Sequence, residues 1–195
     1  MNRKGFTLIE VMIVIAIMVA LIALGAGRML KKDGNPKPVL RHLTVLVKEI
    51  RNHARLFNST YRLCLRLDDG QEAYWVEKGN GVVLLDPEKI AEDMKHPDKK
   101  PDKDAPPPMF QMDKSMLKKE RTLPKNLHFA QVETANTADP VKTGVAYIHF
   151  FPQGIMEAAA IQLTDKKNIW TLVFNPLTGQ ADVMDKAVSL KDLTR

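Results

Sequence analysis

Residues 3–27 form the longest apolar run of the chain. The stretch RKGFTLIEVMIVIAIMVALIALGAG begins with two basic residues, turns apolar at Phe6 and stays apolar for about twenty residues, apart from the carboxylate of Glu10. From Phe6 to Gly27 there are 22 residues, which as a helix would be about 33 Å long and would cross a bilayer core. The run therefore predicts a transmembrane helix over residues 6–31.

Two general interpretations of this run leave Glu10 unexplained. A removable secretory signal peptide also begins with basic residues, but its apolar core is usually shorter and a small-x-small cleavage site follows it. A plain signal anchor fits the length, although basic residues on both sides of the run leave its orientation nearly undecided. A charged side chain in a spanning helix costs roughly 2.5–3.5 kcal/mol near the bilayer centre and less near an end, so Glu10 requires a reason of its own.

A second helix is predicted after a break. The segment KDGNPKP, residues 32–38, contains two prolines, each of which lacks a backbone donor and disfavours helical geometry in the residue before it. The segment PVLRHLTVLVKEIRNHARLF then places apolar residues at helical spacing, with charged residues between them. The predicted buried stripe consists of Val39, Leu43, Leu46, Val47, Ile50, Ala54 and Phe57.

The rest of the chain is patterned for antiparallel strands. In YRLCLRL, residues 61–67, apolar residues alternate with arginines and Cys64, which is the period of a half-buried strand. A turn signal follows at DDG, residues 68–70, and the tail contains further strand-like segments that close on a hairpin around NPLTG, residues 175–179. One amphipathic helix packed on antiparallel sheets gives an α+β fold.

Residues 86–121 differ in composition from the segments on either side. Six of the twelve prolines lie here, and acidic and basic residues are closely balanced. A segment such as HPDKKPDKDAPPP cannot bury enough apolar surface to order itself, so a flexible, exposed insertion is predicted. The MFQM segment inside it, residues 109–112, is interpreted as a loop pinned to the globular body.

Composition and residue spacing point away from catalysis. The 195-residue chain has a net charge of +6, a mild balance that does not by itself indicate nucleic-acid binding. No spacing of serine, histidine, cysteine and carboxylates predicts a catalytic, metal or cofactor site, and the lone cysteine cannot form an internal disulfide. Asp182 and Asp185 are too few for a calcium site. No catalytic activity, metal or cofactor is therefore expected.

Four arginines provide the one feature that could involve nucleic acid. Arg62 and Arg66 on a predicted strand, with Arg51 and Arg55 on the predicted helix, could together form a basic patch. A solvated charged face is the commoner arrangement of such residues, so nucleic acid is not expected as a partner.

The N-terminal residues KGFTLIEVMIVIAIM resemble the signal of type IV prepilins and type II secretion pseudopilins. That family has a short basic leader ending in glycine, followed by Phe-Thr-Leu-Ile/Leu-Glu at the start of an apolar helix, and Gly5, Phe6 and Glu10 match it. The resemblance implies that residues 1–5 are a leader, that a prepilin peptidase cuts between Gly5 and Phe6, and that it methylates the Phe6 amine. It also implies a single-pass protein of the bacterial inner membrane, with a cytoplasmic N-terminus and a periplasmic C-terminal domain.

This resemblance gives Glu10 a role in assembly. Cleavage after Gly5 would create an α-amine with a reference pKa of about 7.7–8.0, which is mostly cationic near neutral pH. In a bundle of stacked helices, that cation can pair with Glu10 of a neighbouring subunit and mark the register of assembly. Small residues at four- and three-residue spacing also predict close helix–helix approach in lipid. They are Ala16, Ala20, Ala23 and Gly27.

The globular domain is predicted to cover residues 39–195. Over most of residues 39–85 and 123–185, without the insertion, it resembles the H-type minor pseudopilin of type II secretion and, equally, the FimT-type minor pilin. The resemblance rests on the helix followed by strand-DG-strand, on LP at residues 123–124, on FFPQG at residues 150–154 and on the closing strand-TG-strand. It implies a structural subunit of a short periplasmic filament, the pseudopilus, which helps to export folded proteins across the outer membrane.

The implied partners are other pseudopilins or pilins, contacted through the N-terminal helices, and the inner-membrane assembly platform. Two alternatives remain open. One is a minor pilin of a type IV pilus, including one that contacts DNA, and the other is a signal-anchored periplasmic enzyme or sensor.

Overall fold

The computed structural model describes residues 8–29, 35–79 and 109–193. The chain divides into two compact units, Met1–Asn35 and Pro36–Arg195. The first unit contributes one described helix, and the second contains the remaining helices and all the described strands.

Helix α1, Leu8–Met29, is apolar along nearly its whole length. Among its 22 residues only Glu10 and Arg28 carry a charge. Leucine, methionine and alanine favour the helix intrinsically, whereas the many valines and isoleucines favour it less because their branched side chains lose rotamer freedom. Intrinsic helix propensity is therefore mixed along α1, and the feature that distinguishes this helix is its apolar composition.

Helix α2, Lys37–Leu56, opens the globular unit. Pro38 lies in its first turn, where the missing N–H would have had no partner within the helix. The last helical residue is Leu56; the N–H of the capping residue Phe57 donates to the carbonyl of His53 at 2.9 Å, and Asn58 then takes a positive φ of 45°. The buried residues of α2 are Leu40, Leu43, Leu46, Val47, Ile50 and Ala54.

The predicted stripe of α2 is correct except at its two ends. Leu40 is buried although the prediction omitted it, and Val39 is only partly buried. Phe57, which was predicted to be buried, is 54 % exposed. The reason is that the helix ends one residue earlier, so the backbone turns and Phe57 no longer follows the buried face.

The described part of the chain contains nine strands, which form two antiparallel sheets. The strands are β1 Tyr61–Arg66, β2 Ala73–Gly79, β3 Phe110–Met112, β4 Arg121–Thr122, β5 His128–Thr134, β6 Val145–Phe150, β7 Ala159–Thr164, β8 Ile169–Phe174 and β9 Ala181–Met184. The first sheet has the order β3-β2-β1-β6, with β4 paired to β2, and the second has the order β5-β7-β8-β9. A short helix, α3, covers Leu190–Leu193.

The main core lies between α2 and the inner faces of both sheets. The buried stripe of α2 packs in one cluster with Tyr61, Leu63 and Leu65 of β1, and with Ile161 and Phe174 of the second sheet. Because side chains alternate along a strand, the remaining residues of β1 point to the other face of the first sheet. There Cys64 forms a second, smaller cluster with Trp75, Val145 and Tyr147.

These observations confirm the predicted α+β fold, with an N-terminal helix and with an amphipathic helix packed on antiparallel sheets. The hairpin predicted around residues 175–179 is also confirmed, since β8 and β9 pair on either side of it.

The predicted flexible insertion needs a correction. Residues 80–108, which include most of it, lie outside the described residues. Residues 109–121, however, are part of the fold: β3 pairs with β2 through Gly79 and Phe110, and Arg121 opens β4, which also pairs with β2. Residues 110–112 of the MFQM segment therefore form a strand and not a loop. Its apolar side chains contact the outer face of the first sheet, where Met112 packs against the Cys64 cluster and Phe110 lies beneath the guanidinium of Arg62.

Candidate functional site

Glu10 lies in the first turn of α1, on an exposed part of the helix. The amide groups of a first helical turn have no carbonyl partners within the helix, and the helix dipole favours negative charge there. A carboxylate at this position is therefore more easily accommodated than one further along the apolar run. Gly5 and Phe6, the predicted processing residues, lie outside the described residues.

The predicted packing stripe of small residues lies on α1. Ala16 and Ala20 are exposed, and Ala23 and Gly27 occupy the second half of the helix. Steps of four, three and four residues return to nearly the same direction around a helix with 3.6 residues per turn. The backbone of α1 therefore places the four positions on one face.

The described side chains of α1 are exposed from Leu8 to Leu21. Eleven of them are large and apolar, with exposed fractions from 48 % at Val11 to 80 % at Leu8. A helix that is apolar on all sides is normally buried in a protein or in a bilayer. Among the residues whose side chains the structure describes, no helix is both long and apolar enough to cross a membrane.

Two arginines of α2, Arg51 and Arg55, contact two glycine-containing turns. Arg51 donates from Nε to the carbonyl of Gly154 at 2.5 Å and from Nη2 to the carbonyl of Leu177 at 2.8 Å. The stem of Arg55 packs over Gly154, where an added Cβ would lie 2.5 Å from its Cδ. These contacts attach the β6–β7 and β8–β9 turns to α2.

The arginines of β1 lie on the outer face of the first sheet. Arg62 donates from Nε to Glu77 at 2.6 Å, and its guanidinium lies 4.2 Å from the ring centroid of Phe110 and 4.1 Å from that of Tyr147. Arg66 pairs with Glu120 at 2.9 Å.

The suggestion of one basic patch is therefore wrong. Arg62 and Arg66 point away from the face on which α2 packs, and each already has acidic or aromatic partners. The alternation of β1 indicated a polar outer face correctly. It could not reveal that aromatic residues of neighbouring strands cover that face.

Two buried groups have shifted pKa values: Cys64 on β1, and Glu157 in the connection between β6 and β7. Burial raises the pKa of the Cys64 thiol well above its usual range, so the reactive thiolate is disfavoured. Burial would also raise the pKa of Glu157, but hydrogen bonds from His149 and Thr134 outweigh it and hold that pKa below its usual value. His149 Nδ1 lies 2.9 Å from Glu157 Oε2, and the N–H of Asn136 donates to Oε1.

One cluster of ionisable groups was missed by the sequence analysis. Asp69 and Glu72, from the connection between β1 and β2, converge on His128 at the start of β5. His128 Nδ1 lies 2.5 Å from Glu72 Oε1 and 3.5 Å from Asp69 Oδ1. The three-residue spacing of the two carboxylates was visible, but His128 is 56 residues from Glu72, and no local pattern indicates that they meet.

Comparison with known proteins identifies the N-terminal motif. Residues 1–26 match the family model described as the prokaryotic N-terminal methylation motif. No curated protein and no solved structure matches the chain. The motif is the signal of type IV pilins and pseudopilins, and it indicates a membrane-anchored structural subunit that is processed by a prepilin peptidase and assembles with other pilin-type subunits.

Proposed function

We propose that this chain is a minor pseudopilin, a non-catalytic structural subunit of the type II secretion pseudopilus. The observation that carries the proposal is the methylation motif on a helix whose described apolar side chains are all exposed. Such a helix needs an apolar environment from outside its own chain, either lipid or the helices of neighbouring subunits. A filament built around bundled N-terminal helices supplies that environment.

The proposed path begins with the chain in the inner membrane, with the leader on the cytoplasmic side and the globular unit in the periplasm. Cleavage between Gly5 and Phe6 frees an α-amine, which is then methylated and stays basic. The amine of one subunit pairs with Glu10 of its neighbour, while the face formed by Ala16, Ala20, Ala23 and Gly27 allows the helices to approach closely. The resemblance of the body to the H-type subunit favours a minor position in the filament.

The minor pilin of a type IV pilus shares the motif and stays as the second candidate. Its DNA-contacting form is less favoured, because Arg62 and Arg66 already bind Glu77 and Glu120 and lie on a different face from α2. A phosphate backbone would have to compete with these carboxylates.

Processing is tested by measuring the intact mass of the chain extracted from its native membrane. The wild-type chain is expected to lack residues 1–5 and to carry one added methyl group. In Gly5→Val, the branched side chain should hinder close approach of the peptidase to the scissile bond, so the full-length precursor should accumulate. Gly25→Val, inside α1, is the matched control and should be processed normally.

An unprocessed wild-type chain would contradict the proposal as a whole. The identity of the subunits that co-purify with the processed chain then distinguishes the two candidate functions. Other secretion pseudopilins support the secretion pseudopilus, and pilus subunits support the second candidate.

A further inference from the structure

We propose that Asp69, Glu72 and His128 form a binding site for a divalent transition-metal ion of the zinc class. The inference does not depend on the proposed function, since the cluster lies wholly in the globular unit. One ligand atom from each residue, an imidazole nitrogen and two carboxylate oxygens, lies within 4.8 Å of the other two.

The donor set fits this class of ion. Zinc binds imidazole nitrogen and carboxylate oxygen at about 2.0–2.2 Å, so neighbouring ligands of a tetrahedral site are roughly 3.3 Å apart. The 3.5 Å between His128 Nδ1 and Asp69 Oδ1 is close to that spacing, and the 2.5 Å contact with Glu72 must open by less than about 1 Å. Calcium and magnesium prefer oxygen ligands alone, so the imidazole favours a transition metal.

Charge gives a second reason to expect a cation here. The two carboxylates lie within reach of the same ring nitrogen, and a single N–H cannot serve both of them well. Like charges at such short range are unfavourable unless a positive charge lies between them. A divalent ion bound to all three atoms would satisfy both carboxylates at once.

The protein holds two of the ligands firmly and leaves one side open. The side chains of Glu72 and His128 are 8 % and 19 % exposed, whereas that of Asp69 is 91 % exposed. The backbone carbonyl of Glu72 accepts a hydrogen bond from Leu123 at 3.0 Å, and Asp68 accepts one from Gly144 at 2.9 Å, so the connection is fixed on both sides of Asp69. Solvent then supplies the fourth ligand on the open side.

A bound ion would join the two sheets of the globular unit. Asp69 and Glu72 belong to the β1–β2 connection of the first sheet, and His128 is the first residue of β5 in the second. The ion would therefore act as a structural clip that stabilises the folded state by mass action.

The test uses the purified full chain in detergent, stripped of metal and titrated with Zn²⁺ by calorimetry. We expect one ion per chain at this site. At ten times the dissociation constant, the melting temperature should rise by about 3–6 °C. The melt can be followed by tryptophan fluorescence, because Trp75 and Trp170 both lie in the globular unit.

Two variants make the result specific. At the same Zn²⁺ concentration, His128→Gln and Asp69→Asn should each weaken Zn²⁺ binding at least tenfold and reduce the thermal shift to about 2 °C or less. The matched controls His42→Gln and Asp182→Asn should leave both unchanged. Asp69→Asn is the more secure variant, since an exposed side chain can be changed without affecting folding.

Unchanged Zn²⁺ affinity in Asp69→Asn, or the absence of any Zn²⁺-dependent shift in the wild-type chain, would overturn the proposal. Either outcome would mean that the three residues form a hydrogen-bonded histidine–carboxylate cluster that does not bind the metal.

Discussion

Helix α1 and the globular unit use apolar residues in opposite ways. From Leu8 to Leu21 the described side chains of α1 are exposed, although almost all of them are apolar. Helix α2 is far more polar, yet it buries a complete stripe against the two sheets. The described apolar side chains of α1 are therefore exposed, whereas the globular unit buries the apolar side chains of α2 in its own core.

This difference fits the proposed function, in which α1 is the part of the chain that contacts lipid or other subunits. Full burial of a large apolar side chain is worth about 1.5–3 kcal/mol. The eleven on α1, with exposed fractions between 48 % and 80 %, would therefore gain on the order of 10–20 kcal/mol from burial in such surroundings. Some charged groups described in the globular unit, by contrast, hold its own fold together, as the contacts of Arg51 and Arg62 show.

The largest expected effect comes from Glu10→Leu, which removes the charge from α1 and leaves an even more apolar helix. Membrane insertion should be unaffected, but the methylated amine of a neighbouring subunit would be left without its partner. Removing one member of a buried ion pair costs about 3–5 kcal/mol. Incorporation into filaments, measured by co-purification with partner subunits, should therefore be lost almost completely.

Glu49→Leu provides the matched control, because Glu49 is an exposed carboxylate on α2. Its filament incorporation should equal that of the wild-type chain. Undiminished incorporation of Glu10→Leu would show that the carboxylate plays no part in assembly.

A smaller effect is expected when the same substitution, isoleucine to alanine, is made in each of the two regions and the stability of the globular unit is measured. Ile50→Ala creates a cavity in the core beneath α2, where Ile50 is fully buried, and it should lower the free energy of unfolding by about 2–5 kcal/mol. Ile13→Ala makes the same chemical change on the exposed surface of α1. Because both tryptophans lie in the globular unit, their fluorescence should report destabilisation only for Ile50→Ala. Equal destabilisation by both variants would mean that the two regions do not unfold separately.

The sequence predicted those parts of the fold that depend on neighbouring residues. The spacing of apolar residues gave α2 and its buried stripe, and alternation with a turn signal gave the β1–β2 hairpin. At Phe57 the prediction was wrong because periodicity does not show where a helix ends. The methylation motif was equally readable, since its residues are contiguous.

Contacts between distant segments could not be predicted in the same way. Phe110 pairs with Gly79 although 30 residues separate them in the sequence, and only the folded sheet reveals the pairing. His128 meets Glu72 because the second sheet begins beside the hairpin of the first. Both contacts depend on how the sheets are arranged, which a local pattern does not encode.

The smallest expected effect on stability comes from Gly154, in the turn between β6 and β7 that contacts α2. Gly154 has a φ of +81°, and a Cβ there would lie 2.5 Å from Cδ of Arg55. Gly154→Ala should therefore suffer both backbone strain, about 1–2 kcal/mol, and a steric clash that displaces the arginine. We expect a total loss of about 2–3 kcal/mol in the free energy of unfolding, measured by denaturant titration with tryptophan fluorescence.

Gly70→Ala separates the two contributions, because Gly70 has a similar φ of +77° but nothing within 4 Å of its Cβ position. It should suffer the backbone strain alone. In an Arg55→Ala background, the cost of Gly154→Ala should fall to that of Gly70→Ala, since the clashing atoms are gone. If the cost stays the same in both backgrounds, Arg55 does not hold the β6–β7 turn. The attachment of the sheets to α2 would then depend on the apolar stripe and on Arg51.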